Sequence, residues 1–120
     1  MKRNWDTIRK ILLKLEEIPD ESGVLESGDL VGIDNEAAVY HMRLLIEAGL
    51  AVGGVPDMLN GPSYGHLLRL TWEGHELLDK IRRDTVWNKI KETARTKGVD
   101  LSVEVVKVVG GLVISRMMGG

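Results

Sequence analysis

The stretch Tyr40-His41-Met42-Arg43-Leu44-Leu45-Ile46-Glu47-Ala48-Gly49-Leu50 decides the fold. Just upstream, Asp34 is a good N-cap, because its carboxylate can accept hydrogen bonds from the orphan amides of a first helical turn. The apolar spacing that follows predicts a helix over about residues 35–48, with Ala38, Met42, Leu45 and Ala48 inward. Val39, Tyr40, Arg43, Leu44 and Ile46 then fall on its outward face. Gly49 stands where a left-handed residue ends a helix at little cost. Leu50-Ala51-Val52 reads as a strand.

Working outward, Gly53, Gly54, Pro56, Asp57, Asn60, Gly61 and Pro62 are turn formers, and Tyr64 to Leu70 resumes a strand. Together they predict a β-hairpin with a long tip. Thr71 caps a helix over about 72–82 with Leu77, Leu78 and Ile81 inward, and Asp84 caps another to Thr96 with Trp87, Ile90 and Ala94 on one side. Lys97-Gly98 ends it. A last helix is expected over about 102–117, with Val105, Val109, Leu112 and Val113 on one side; its valines also allow a strand. Gly111, Ser115 and Gly119 repeat small residues every four, a spacing that permits close helix approach. In the other direction, Ile8, Ile11, Leu12, Leu15 and Ile18 share one face of a helix over 4–18, capped by Asn4 and ended by Pro19. Residues 20–33 read as a loop holding a short strand or a turn of helix.

The chain has 120 residues, 43% hydrophobic and 28% charged, with net charge −2. That length suggests one compact domain, or one domain with an appended element, and a core is attainable without staples. Cysteine is absent, which excludes disulfides, thiol catalysis and thiolate metal sites. Phe is absent and aromatics are 4%, too few for a base-stacking platform.

The order helix, short link, helix, hairpin, helix is that of a winged helix-turn-helix. Tyr40 to Leu50 resembles the recognition helix of bacterial winged-helix regulators running into the first wing strand. Arg69-Leu70-Thr71-Trp72-Glu73-Gly74-His75-Glu76-Leu77 resembles the exit from their second wing strand into the next helix. Most of the chain also resembles a family of short bacterial and phage proteins of unknown function. Those open on Met-Lys-Arg and an amphipathic helix, here from Met1, and carry the segments found here at Tyr40–Leu50, Leu70–His75 and Asp84–Trp87. The resemblance implies a mainly helical winged-helix domain, residues 1–82, followed by a helical extension, residues 83–120, for packing or dimerisation. It implies a bacterial or phage source and no defined activity.

A winged-helix regulator binds double-stranded DNA, so Tyr40 and Arg43 are the candidate groove contacts, and Lys89, Lys91 and Arg95 the candidate phosphate contacts. Charge argues against the usual docking. Residues 1–19 carry +2, residues 20–68 carry −7, and residues 69–120 carry +3. The hairpin, 51–68, has no Lys or Arg, so the segment that should enter the groove would be repelled by phosphate. Residues 80–97 carry +5, which fits a phosphate-contacting helix, a patch docking on the acidic middle of a second subunit, or an ordinary solvated face. Trp87 there is expected as a buried anchor rather than a base-stacking ring. The alternative function is a protein-interaction or assembly module that does not bind DNA. Its candidate surface is Val39, Leu44 and Ile46, with Val105, Val109 and Leu112 as a homodimer face.

No enzyme chemistry is expected. His41, His66 and His75 lack the His-x-x-x-His and His-x-x-Glu-His spacings of helical metal sites, and the Gly-rich stretch 53–65 lacks the Lys and following helix of a phosphate loop. No catalytic residue, cofactor or metal ligand is assigned. Charged residues interrupt each apolar run, so neither a signal peptide nor a membrane span is expected. A cytoplasmic location fits the missing cysteines.

Overall fold

The computed structural model describes residues 1–119. Gly120, the last residue of the expected extension, lies outside them. Helices α1 (Trp5–Glu16), α2 (Asn35–Glu47), α3 (Trp72–Ile81), α4 (Asp84–Lys97) and α5 (Val103–Gly119) accompany strands β1 (Leu25–Glu26), β2 (Ala51–Gly54) and β3 (His66–Leu70). The chain is mainly helical with one small antiparallel sheet of order β1-β3-β2. It forms two compact units, Met1–His75 and one beginning at Glu76, so α3 starts in the first and continues in the second.

In the first unit, α1 is capped as its sequence requires: Asn4 Oδ1 accepts the Thr7 amide at 3.1 Å. Ile8, Ile11, Leu12 and Leu15 are buried. The helix ends at Glu16, before the expected Ile18, and Ile18 is half-buried. The Glu17 and Ile18 amides turn back to the carbonyls of Lys14 and Leu15, a tightened last turn before Pro19. Residues 20–33 contain both expected alternatives: β1 pairs with β3 through Leu25–Leu67, and a 3-10 turn follows at Ser27–Asp29. Buried Ser27 ties this turn to the hairpin, donating its amide to the Gly65 carbonyl at 2.9 Å and accepting the Gly65 amide on Oγ at 3.3 Å.

The Asp34 carboxylate accepts the Ala37 amide at the start of α2. At its end Gly49 takes φ +73°, its amide bonds the Ile46 carbonyl at 3.0 Å, and the Leu50 amide bonds the Leu45 carbonyl at 2.9 Å. These paired bonds satisfy two carbonyls that a helix end otherwise leaves open. A Cβ on Gly49 would meet nothing within 4 Å, so Gly49→Ala tests the backbone alone. We expect a loss of about 1 kcal/mol, the strain of a left-handed L-residue, measured by denaturant unfolding.

The buried face of α2 differs from the expectation. Ala38, Met42 and Leu45 are inward as predicted, but Val39 is only 6% exposed and Ala48 is exposed. The reason is that α2 packs on α1, the 3-10 turn, β2 and β3, which together bury a wider arc than one apolar stripe. β2 and β3 pair with a bulge between Val52 and Gly53, and residues 55–65 connect them.

Thr71 joins the hairpin to α3. Its amide donates to the Leu50 carbonyl at 3.1 Å, its hydroxyl donates to the Gly49 carbonyl at 2.6 Å and accepts the Gly74 amide at 3.0 Å. Gly74 is required by space: a Cβ there would fall on the Leu50 carbonyl oxygen.

In the second unit, α4 and α5 pack together. Val86, Trp87, Ile90 and Ala94 are buried along α4. The expected capping role of Asp84 is not seen: Arg83 holds the N-cap position without a side-chain cap bond, and Asp84 begins the helix. Gly98 ends α4 at φ +69°. Ser102 caps α5, its Oγ accepting the Val105 amide at 3.1 Å. The inward face of α5 is Val106, Gly110 and Val113, and only Val113 of the expected side belongs to it. Gly110, not Gly111, is the close-approach glycine; its missing Cβ would stand 3.3 Å from Ile90 Cδ1.

Candidate nucleic-acid interface

The exposed face of α4 follows from its buried one. With Val86, Trp87, Ile90 and Ala94 turned in, the helical period turns out Thr85, Asn88, Lys89, Glu92, Arg95 and Thr96. Lys91 is half-buried and sits over the Trp87 ring, 5.5 Å from its centroid. Trp87 itself is 2% exposed, an anchor as expected. Beside this face, Lys89 and Lys97 of α4 and Arg116 of α5 border a groove of about 250 Å³ that also takes in Glu92 and the hydroxyl-bearing Thr93 and Thr96. Lys97 belongs to the basic segment 80–97 read from the sequence, whereas Arg116 was not picked out there, since nothing local links a residue near the C-terminus to α4. The second unit holds nine basic against six acidic residues, whereas the first holds seven against twelve.

The α2 surface has different chemistry. Arg43 is exposed and Tyr40 half-buried, its ring edge-on to His41 at 5.4 Å. Their exposed neighbours include Glu36 and Glu47. Leu44 and Ile46 are half-buried and Val39 is buried, so Val39 cannot serve the interaction surface assigned to it. On α5, Val108 is 60% and Leu112 55% exposed, with Val105 and Val109 half-buried beside them.

His41 is a structural histidine. It is 2% exposed, its Nδ1 lies 2.7 Å from the Ala37 carbonyl and its Nε2 accepts the Asn4 amide at 2.8 Å. Nδ1 therefore carries the proton and donates to Ala37. Tyr64 stacks on His66 and donates its hydroxyl to Glu26 at 3.4 Å; desolvation, then the Glu26 carboxylate, pushes the phenol up from its ordinary range. The Ser22 hydroxyl and amide hold the Asp20 carboxyl below its usual value. Neither group lies on α2 or α4. Among the described residues no group of three or more His, Asp or Glu could hold a metal ion, and no helix is long and apolar enough to cross a membrane.

A family model described as a hypothetical protein, DUF2513, matches residues 2–100. The chain belongs to this family. The DUF2513 match takes in the first unit except Met1 and all of α4, so the α4 side of the basic face lies within the family's span, whereas Arg116 of α5 lies beyond it. A Haemophilus influenzae relative, described as an uncharacterized protein, is 49% identical over 118 residues, covering 98% of this DUF2513 chain and 99% of its own. No solved structure matches.

Proposed function

We propose that this DUF2513 chain is a winged-helix, regulator-like protein that binds double-stranded DNA through the exposed face of α4. The winged-helix reading is supported by the order α1, β1, α2, β2, β3 and by the strand order β1-β3-β2, with the 3-10 turn standing where that fold has a second helix. The observation that carries the DNA reading is the convergence of Lys89, Lys97 and Arg116 on one groove, beside Asn88 and Arg95. Cations give affinity by displacing counterions from phosphate, and Asn and Arg are side chains that can also address base edges. Tyr40 and Arg43 take a lesser part, because Glu36 and Glu47 beside them repel phosphate. Regulation of transcription in the cytoplasm is the role such binding would serve.

The test is anisotropy with a short random-sequence duplex between about 50 and 200 mM salt. Log affinity should fall linearly with log salt. Lys89→Ala and Arg95→Ala should each reduce the slope by about 1, and Arg43→Ala by less. No binding at micromolar protein, or a flat salt response, refutes the reading.

A second reading, a protein-interaction or assembly module, is favoured by the exposed Val108 and Leu112 on α5. There α5 would pair with a second copy as a homodimer. Sedimentation would then show a dimer that Leu112→Asp dissociates.

A further inference from the structure

The second unit holds a cleft of about 390 Å³, separate from the α4 face and within the size range of small-molecule sites. One wall is the end of α3 and the link to α4, with Asp79, Lys80, Arg82 and Arg83; the other is the last turns of α5, with Ile114 and Met117, and Val86 of α4 lies between them. Arg82 is engaged by Asp79 at 2.9 Å. The side chains of Lys80 and Arg83 have no ion-pair partner among the described residues. Two uncompensated cations thus face a lining of Val, Ile and Met side chains. The cations attract one anionic head group, and the aliphatic wall attracts a hydrocarbon chain. Methionine adds a surface that adapts to such a chain.

We infer that this cleft binds an aliphatic carboxylate, its head group between Lys80 and Arg83 and its chain along Val86, Ile114 and Met117. A mineral anion leaves the apolar wall wet, and a neutral alcohol leaves the cations unanswered. The inference does not depend on DNA binding.

Titration calorimetry of the full chain with decanoate below its micelle concentration tests it, with decanol, acetate and phosphatidylglycerol vesicles as the other arms. Decanoate should bind at one site per chain, about tenfold or more tighter than decanol or acetate, since the charge-assisted bonds and the chain contacts each contribute. Arg83→Gln and Met117→Gln, both at exposed positions, should each weaken it about fivefold or more with unchanged thermal unfolding. Decanoate binding that is absent, equalled by decanol or acetate, or indifferent to Arg83→Gln overturns the assignment. So does adsorption to vesicles without binding of free decanoate, which would mark a charged surface and no cleft.

Discussion

Replacing Gly74 by Ala is expected to destabilise the protein by about 3 kcal/mol, although alanine is the better helix former. On an open helix surface the change gains about 1 kcal/mol, because glycine loses more backbone entropy on folding. Here the added methyl would fall on the Leu50 carbonyl oxygen. Neither side can yield cheaply. The Leu50 carbonyl accepts the Thr71 amide at 3.1 Å, and its own amide is bonded to Leu45 at 2.9 Å. Gly74 is held from the other side, its amide bonded to the Thr71 hydroxyl. Relief therefore means breaking the bonds that seat the first turn of α3, and overpacking of this kind costs more than the propensity gain. A melting temperature lower by roughly 10 °C or more is expected. A stable or stabilised Gly74→Ala would show that α3 does not rest on Leu50.

His41→Ala should cost about 2–4 kcal/mol. The imidazole is buried, and it bridges Ala37 in α2 to Asn4, the cap of α1, with bonds of 2.7 and 2.8 Å. Alanine removes the acceptor from the Asn4 amide and opens a space between the two helices. His41→Gln should recover part of the loss, since its amide oxygen can accept in place of Nε2. Hydrogen exchange should rise first in the opening turn of α1. A variant as stable as the wild type, with unchanged protection there, would place the anchoring of α1 elsewhere, in Ile8, Ile11 and Leu12 alone.

Both results concern contacts that no local pattern announces. His41 reads in sequence as one more helical residue, and its partner Asn4 is thirty-seven positions away. The segment Leu70–His75 was legible as a joint, because Thr71 caps a helix by chemistry within three residues of itself. That its glycine presses on Leu50 was not legible, since the pressure comes from another element.

The candidate surfaces divide in the same way. Lys89 and Arg95 were readable as solvent-facing because Trp87, Ile90 and Ala94 set the period of α4. Arg116 joins them only because α5 returns along α4. The interaction surface fared less well. Val39 was assigned outward from a single stripe, yet α2 is enclosed by four neighbours and buries it. On α5 apolar residues occur all round the helix, so periodicity selects no inward face.

Sequence by itself therefore determined where most elements begin and end, the end of α1 and the start of α4 excepted. Asn4, Asp34, Gly49, Thr71 and Gly98 act on amides and carbonyls within a few residues, and such bonds form wherever the chain is placed. Tertiary structure alone decided which flank of each helix is hidden and which distant groups meet. Val106 and Gly110 turn inward on α5 while Val108 and Leu112 stay in water, and Lys80 and Arg83 come to share a cleft with Met117. Burial depends on the shape and position of the partner, and that information is not contained in the spacing of one helix's own apolar residues.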